Sequence, residues 1–248
     1  MKNAICLLTI IPNKIWLEFL NKFTNYDIFI VVDNLQIDYS QIKNNYPNVK
    51  IITITDEECK KYGYIHSSYM PNSSLIFNEI IAWDRALCYF TNLNKNYEQI
   101  WFLEDDVFFY NEETLVQIDT KYQNSDMLCK NKNSQPGPGE WCWFWPAITI
   151  HFSPPYFHSQ ICAVKLSNKF LSCLNEYIQI HKKLPFIEAI LPSIAHNRNL
   201  NLVIACELSE IHWRKDWTYD DFNTTNLFHP VKNMEQQHKT REQLQISL

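Results

Sequence analysis

The chain has 248 residues, 46% of them hydrophobic and 15% aromatic, with a formal net charge of −5. That length and apolar content suit one large domain with a full core. The acidic balance excludes a broad basic surface for nucleic acid, so an anionic ligand must be met by a local cation.

Ala4–Ile10 reads as a short buried strand. The apolar stretch up to Ile11 is too short to span a membrane, and no small-residue cleavage site follows it. Neither a transmembrane segment nor a secretory leader is expected, and the predicted setting is reducing and cytoplasmic. After Pro12, the residues Trp16, Phe19, Leu20 and Phe23 fall on one face of a helix. Asp27–Val32 is a second strand ending at Asp33-Asn34, and Val49–Ile54 is a third. Strand–helix–strand order with short, continuous apolar strands predicts a parallel sheet. Leu75–Phe90 reads as one helix, with Ile76, Ile80, Trp83, Leu87 and Phe90 spaced by threes and fours and Asp84 beside that stripe. Gln99–Leu103 is the next strand.

Residues 111–140 read as a helix followed by a polar loop, Asn131–Glu140, whose Pro-Gly-Pro-Gly run is expected to form a mobile flap. Ile161–Leu166 is a strand, Leu166–Ile180 a helix, Phe186–Ile194 a helix limited by Pro192, and Leu202–Cys206 a late strand. The tail from Met234 is polar and is expected to fray or cap the domain. No linker separates domains. The chain reads as a single domain, 1–248, with a nucleotide-binding half, 1–110, and an acceptor-binding half, 111–248. The abundance of Asn, Lys and Ile suits an AT-rich genome such as a viral or parasitic one.

Two absences matter. Only three glycines occur, Gly63, Gly137 and Gly139. Neither Gly-x-Gly-x-x-Gly nor a Walker A loop can be built from them, so no glycine-rich loop cradles a phosphate. The eight cysteines form no Cys-x-x-Cys pair, and Cys129 with Cys142, flanking the polar loop, is the one pair to watch. Against this background Glu104-Asp105-Asp106, at the end of an apolar strand, stands out. Burying three adjacent carboxylates without partners costs several kcal/mol, which a hard divalent cation relieves. The plain alternative is an acidic turn facing solvent.

Four places together resemble the nucleotide-sugar glycosyltransferases of the GT-A fold. They are Phe102-Leu103-Glu104-Asp105-Asp106-Val107, which is similar to that fold's DXD site; Ala82-Trp83-Asp84-Arg85-Ala86-Leu87; Phe186-Ile187-Glu188-Ala189-Ile190-Leu191-Pro192; and Phe228-His229-Pro230-Val231-Lys232. The resemblance implies an α/β, Rossmann-type sandwich with a mostly parallel central sheet flanked by helices. It implies that Asp106 meets a metal, Mn²⁺ or Mg²⁺, that bridges the donor's phosphates. His229 would be a second ligand, and an imidazole ligand favours Mn²⁺. Glu104 and Asp105 would contact ribose or donor sugar, Lys232 the diphosphate, and Asp33, Asp84 and Arg85 the base or ribose, near the strand ends that line such crevices.

Glu188, an acid among apolar helix residues, is the candidate general base, with Glu207 and Glu210 as alternatives. Trp141, Trp143, Trp145 and Tyr156 are candidate sugar-stacking acceptor residues; their plain alternative is a buried ladder along one strand face. His151, His158, His212 and Trp213 receive no role. The function implied is metal-dependent transfer from a nucleotide-sugar, a UDP-sugar, to a hydroxyl of a glycan, glycoprotein or other acceptor, by inversion. The alternatives are a non-catalytic carbohydrate-binding protein and a sugar nucleotidyltransferase; the latter normally begins with a basic glycine-rich loop, which Thr9–Lys14 is not.

Overall fold

A computed structural model describes residues 2–65, 68–69, 76–77, 80–135 and 145–246. The elements in chain order are β1 (Asn3–Thr9), α1 (Lys14–Leu20), β2 (Asp27–Val32), α2 (Ser40–Asn45), β3 (Val49–Ile52), α3 (Asp56–Tyr62), β4 (Ser68–Tyr69), β5 (Ile76–Phe77), α4 (Ala82–Cys88) and β6 (Gln99–Glu104). They continue with α5 (Glu112–Lys121), β7 (Met127–Cys129), β8 (Asn133–Gln135), α6 (Trp145–Thr149), β9 (Tyr156–His158), β10 (Ala163–Ser167), α7 (Asn168–His181), α8 (Ile187–Asn197), β11 (Leu202–Ile204) and α9 (Met234–Ile246).

Among the described residues the central sheet has seven strands, in the order β11-β7-β10-β6-β1-β2-β3. Only β10 opposes the rest, pairing antiparallel with both β6 and β7. The predicted mostly parallel α/β sheet with flanking helices is therefore the observed architecture. Its two faces explain the continuous apolar strands. Along β1, Ala4, Cys6 and Leu8 enter one core, while Ile5 and Leu7 enter the other. Along β6, Ile100 and Phe102 join the first core and Trp101 and Leu103 the second. Each fully buried large side chain contributes about 1.5–3 kcal/mol, so a strand covered on both faces gains from apolar residues at every position.

Four expectations need correction. The helix read from Leu75 starts at Ala82, because Asp84 Oδ2 accepts the Ile81 N–H at 2.9 Å and so caps the first turn there. Upstream, Ile76–Phe77 instead pairs antiparallel with Ser68–Tyr69. The third strand stops at Ile52, and the Ile54 carbonyl accepts from Arg85 Nη1 at 2.8 Å. Part of the expected polar loop is β8, paired with β9. Finally, the polar tail forms α9, whose buried residues are Gln237, Thr240 and Arg241.

Helix α8 runs through Pro192 to Asn197. Proline has no N–H for the carbonyl four residues back, which here belongs to Glu188. That carbonyl instead accepts the Ser159 N–H at 2.8 Å, tying the first turn of α8 to the chain just after β9.

Candidate active site

The acidic cluster lies at the C-terminal end of β6 and in the turn after it. Backbone bonds on both sides fix its course. Glu104 N–H donates to the Cys162 carbonyl at 3.0 Å and Asp105 N–H to the Leu8 carbonyl at 3.1 Å. The C-terminal segment runs alongside: Phe108 and Phe228 exchange bonds of 2.8 and 2.9 Å, and Val231 N–H donates to the Asp106 carbonyl at 2.7 Å. This pairing delivers His229 to the acids, although 123 positions separate His229 from Asp106 in the numbering.

His229 Nδ1 lies 2.6 Å from the His212 carbonyl, which can only accept, so Nδ1 carries a proton. Its Nε2 faces Asp106 Oδ1 at 3.2 Å and Glu104 Oε2 at 3.7 Å. A neutral imidazole would aim a lone pair at two carboxylates. The arrangement therefore calls for a positive charge, either a proton on Nε2 or a cation between the three groups. Burial opposes the imidazolium, but the hydrogen bond and charge of Asp106 outweigh it and raise His229 above its ordinary range. The donor set fits a divalent cation: two carboxylates, and an imidazole whose outer nitrogen is held by a carbonyl.

The three acids have separate surroundings. Glu104 Oε1 accepts from Trp83 Nε1 at 2.8 Å, and burial, partly offset by that bond, raises its carboxyl. Asp105 does not line the cleft; its side chain is held by the Thr9 hydroxyl. Its carbonyl accepts from Trp16 Nε1 at 2.7 Å and Gln237 Nε2 at 3.3 Å. Gln237 Nε2 also donates to the Val231 carbonyl at 2.9 Å, and Arg241 Nε donates to the Phe109 carbonyl at 3.1 Å. Helix α9 thus staples the acidic turn to the segment that carries His229.

These groups open onto a cleft of about 1240 Å³. Glu104, Asp106, Glu188, His229 and Lys232 line it, as do Trp83 and Cys162. Glu188 sits in the first turn of α8. Burial pushes its carboxyl up to about 7; Glu104 pushes the same way, and the Ile161 N–H and His229 act against it. The other two candidate bases are engaged elsewhere, Glu207 with Lys121 at 2.7 Å and Glu210 with Lys215 at 3.1 Å.

The expected base or ribose contacts fall differently. Asp84, next to Trp83 in α4, is fully buried, and burial raises its carboxyl to about 7. Arg85 is 5% exposed and spends its guanidinium on Asp33 at 3.3 Å, Asp56 at 2.8 Å and the Ile54 carbonyl. Neither residue lines the cleft. Both are turned inward because the helix that carries them packs against β1 and β2, and Arg85 acts as a clamp on the half-buried Asp33. Tyr156 is likewise in the core rather than at the cleft. Trp145 opens α6, while Trp141, Trp143, Cys142 and the Pro-Gly-Pro-Gly run lie outside the described residues.

One wall was not expected. Trp213, Arg214, Lys215 and Trp217 line the cleft, and Trp213 is 70% exposed. Lys215 Nζ lies 3.9 Å from the centre of the Trp217 ring. The compact Trp-Arg-Lys-Asp-Trp run upstream of His229 was the available signal.

No family model and no curated protein matches the chain. Solved structures similar to it include 4-diphosphocytidyl-2C-methyl-D-erythritol synthase from Anaerococcus prevotii, at 9% identity and a TM-score of 0.47, covering 98% of this chain and 96% of the other. Mouse xyloside xylosyltransferase 1 is another, at 11% identity and a TM-score of 0.47, covering 94% of this chain and 98% of the other. Among the described residues, no helix is long and apolar enough to cross a membrane.

Proposed function

We propose that the chain is a metal-dependent glycosyltransferase that moves a sugar from a nucleotide-sugar, a UDP-sugar, to a hydroxyl acceptor. The observation that carries this reading is the meeting of His229 Nε2 with Asp106 and Glu104 in the lining of a large cleft that Glu188 also lines. Mn²⁺ or Mg²⁺ held there supplies Lewis-acid stabilisation of the charge developing on the leaving diphosphate. His229, Asp106 and Glu104 hold the ion, and the imidazole donor favours Mn²⁺. Lys232 and Arg214, both exposed on the cleft wall, meet phosphate oxygens. Glu188 takes the proton of the acceptor hydroxyl, which suits direct, inverting displacement; a carboxyl near 7 is well matched to that task at neutral pH. The exposed face of Trp213 offers a stacking surface for an acceptor sugar. Both halves of the chain, 1–110 and 111–248, contribute to this one catalytic domain. A cytoplasmic setting, which keeps thiols reduced, fits the reading.

The test is donor hydrolysis and transfer with Mn²⁺. Asp106→Ala is expected to abolish both. Glu188→Gln is expected to keep Mn²⁺ binding and lose about 10²–10⁴-fold in transfer, the usual contribution of a general base. Unchanged hydrolysis in Asp106→Ala contradicts the metal role. Oligosaccharide binding without metal-dependent nucleotide binding would instead support a non-catalytic carbohydrate-binding protein.

A further inference from the structure

Cys162 stands beside this centre, and the transfer chemistry gives it nothing to do. Its Sγ, a Glu104 carboxylate oxygen and a His229 ring nitrogen all lie within 4.8 Å of one another. Cys162 is 7% exposed and lines the cleft, so an ion can reach it. Its position is fixed by β10: one step beyond the Ala163–Leu103 pair, its carbonyl accepts the Glu104 N–H. His229 is fixed independently by the His212 carbonyl.

Thiolate, imidazole and carboxylate form a donor set for borderline and soft cations, whereas Mg²⁺ prefers oxygen alone. Tetrahedral zinc with bonds of 2.0–2.3 Å holds its donors roughly 3.3–3.8 Å apart. The three side chains need close by only about 1 Å to reach that spacing, and the cleft leaves a fourth position for water.

We propose that Glu104, Cys162 and His229 form a soft-cation site for Zn²⁺ or Cd²⁺. The site shares Glu104 and His229 with the proposed Mn²⁺ centre, so a soft ion there displaces the catalytic one and inhibits transfer. The inhibition, though not the site itself, rests on the glycosyltransferase reading. On binding, the thiol proton passes to solvent and the sulfur lone pair forms the metal–sulfur bond, with no change of oxidation state.

Cd²⁺ titration of the full chain tests this, in a Cys206→Ser background that removes an exposed thiol. The expected result is a near-ultraviolet thiolate-to-cadmium absorption that saturates at one ion and releases bound Mn²⁺, followed by its paramagnetic resonance signal. Adding Cys162→Ser is expected to remove the absorption and weaken Cd²⁺ by at least about 100-fold, the upper end of losses from outer-shell changes, while Mn²⁺ stays bound. His229→Gln is expected to weaken both ions. If Mn²⁺ binds through Asp106 but no Cys162-dependent absorption develops, the soft site is refuted and the glycosyltransferase reading stands. If the absorption develops but Mn²⁺ is never held, the soft site stands and that reading fails.

Discussion

Glu188 and Asp84 are two carboxyls that burial raises to about 7, one at the cleft and one inside. As the proposed base, Glu188 must be ionised, so transfer should rise as pH climbs through about 7 and level off above it. Glu104 and His229 are the charged groups that bear on it, and they act in opposite directions. The stability effect has the opposite sign. With a folded value above the unfolded one, the native state binds the extra proton between about pH 4.5 and 7, and stability falls as pH rises across that window. Glu188→Gln removes this cost. The variant should be more stable than the parent by about 1–3 kcal/mol at pH 8 and equal to it near pH 4, as read by urea unfolding at both pH values. A variant less stable at pH 8 would show that the carboxylate is not desolvated. That Glu188 lines the cleft is in keeping with its place in the sequence, where a lone acid among apolar helix residues is conspicuous. Cys162 was not legible there, because its partner Glu104 is reached only across a strand pair, and nothing local in the sequence encodes that pair. Asp105 is set apart from Glu104 and Asp106 because adjacent residues at a strand end point in different directions, and its side chain turns to Thr9.

Helix α9 shows why one element escaped prediction altogether. Hydrophobic periodicity finds helices by their apolar face, but the buried face here is Gln237, Thr240 and Arg241, spaced three and four apart. Of these, Gln237 serves the Asp105 carbonyl of the acidic turn and the Val231 carbonyl of the His229 segment, and Arg241 serves the Phe109 carbonyl just beyond the turn. Gln237→Ala leaves the Asp105 and Val231 carbonyls without that donor and should cost about 1–3 kcal/mol. It should also weaken Mn²⁺ binding by about 10–100-fold, because it loosens the two segments that carry the ligands. Calorimetric Mn²⁺ titration of this variant checks the claim; full affinity would make α9 a mere cap. Helix α4 teaches the complementary lesson. Its stripe of threes and fours extended the expected helix seven residues too far upstream, whereas the decisive signal was Asp84 capping Ile81.

For the molecule as a whole, the sheet was readable and its strand order was not. Strands covered on both faces must be apolar throughout, so β1, β2 and β6 announce themselves. The single reversal at β10 leaves no such mark, since its residues are as buried as those of the parallel strands. Yet that reversal sets Cys162 against Glu104, and the Phe108–Phe228 pairing brings in His229. The centre therefore exists only in the folded chain, and ligands that bind it should stabilise that chain. A thermal-shift series with UDP, GDP and CMP, each with and without Mn²⁺, tests this most directly. At a free ligand concentration 100 times the dissociation constant, the gain is about 2.7 kcal/mol, roughly 5–10 °C for a chain of this size. That shift is expected with UDP and Mn²⁺ together, neither alone sufficing, and is expected to be lost in Asp106→Ala. A nucleotide shift that is equally large without the cation, or that survives in Asp106→Ala, would contradict it.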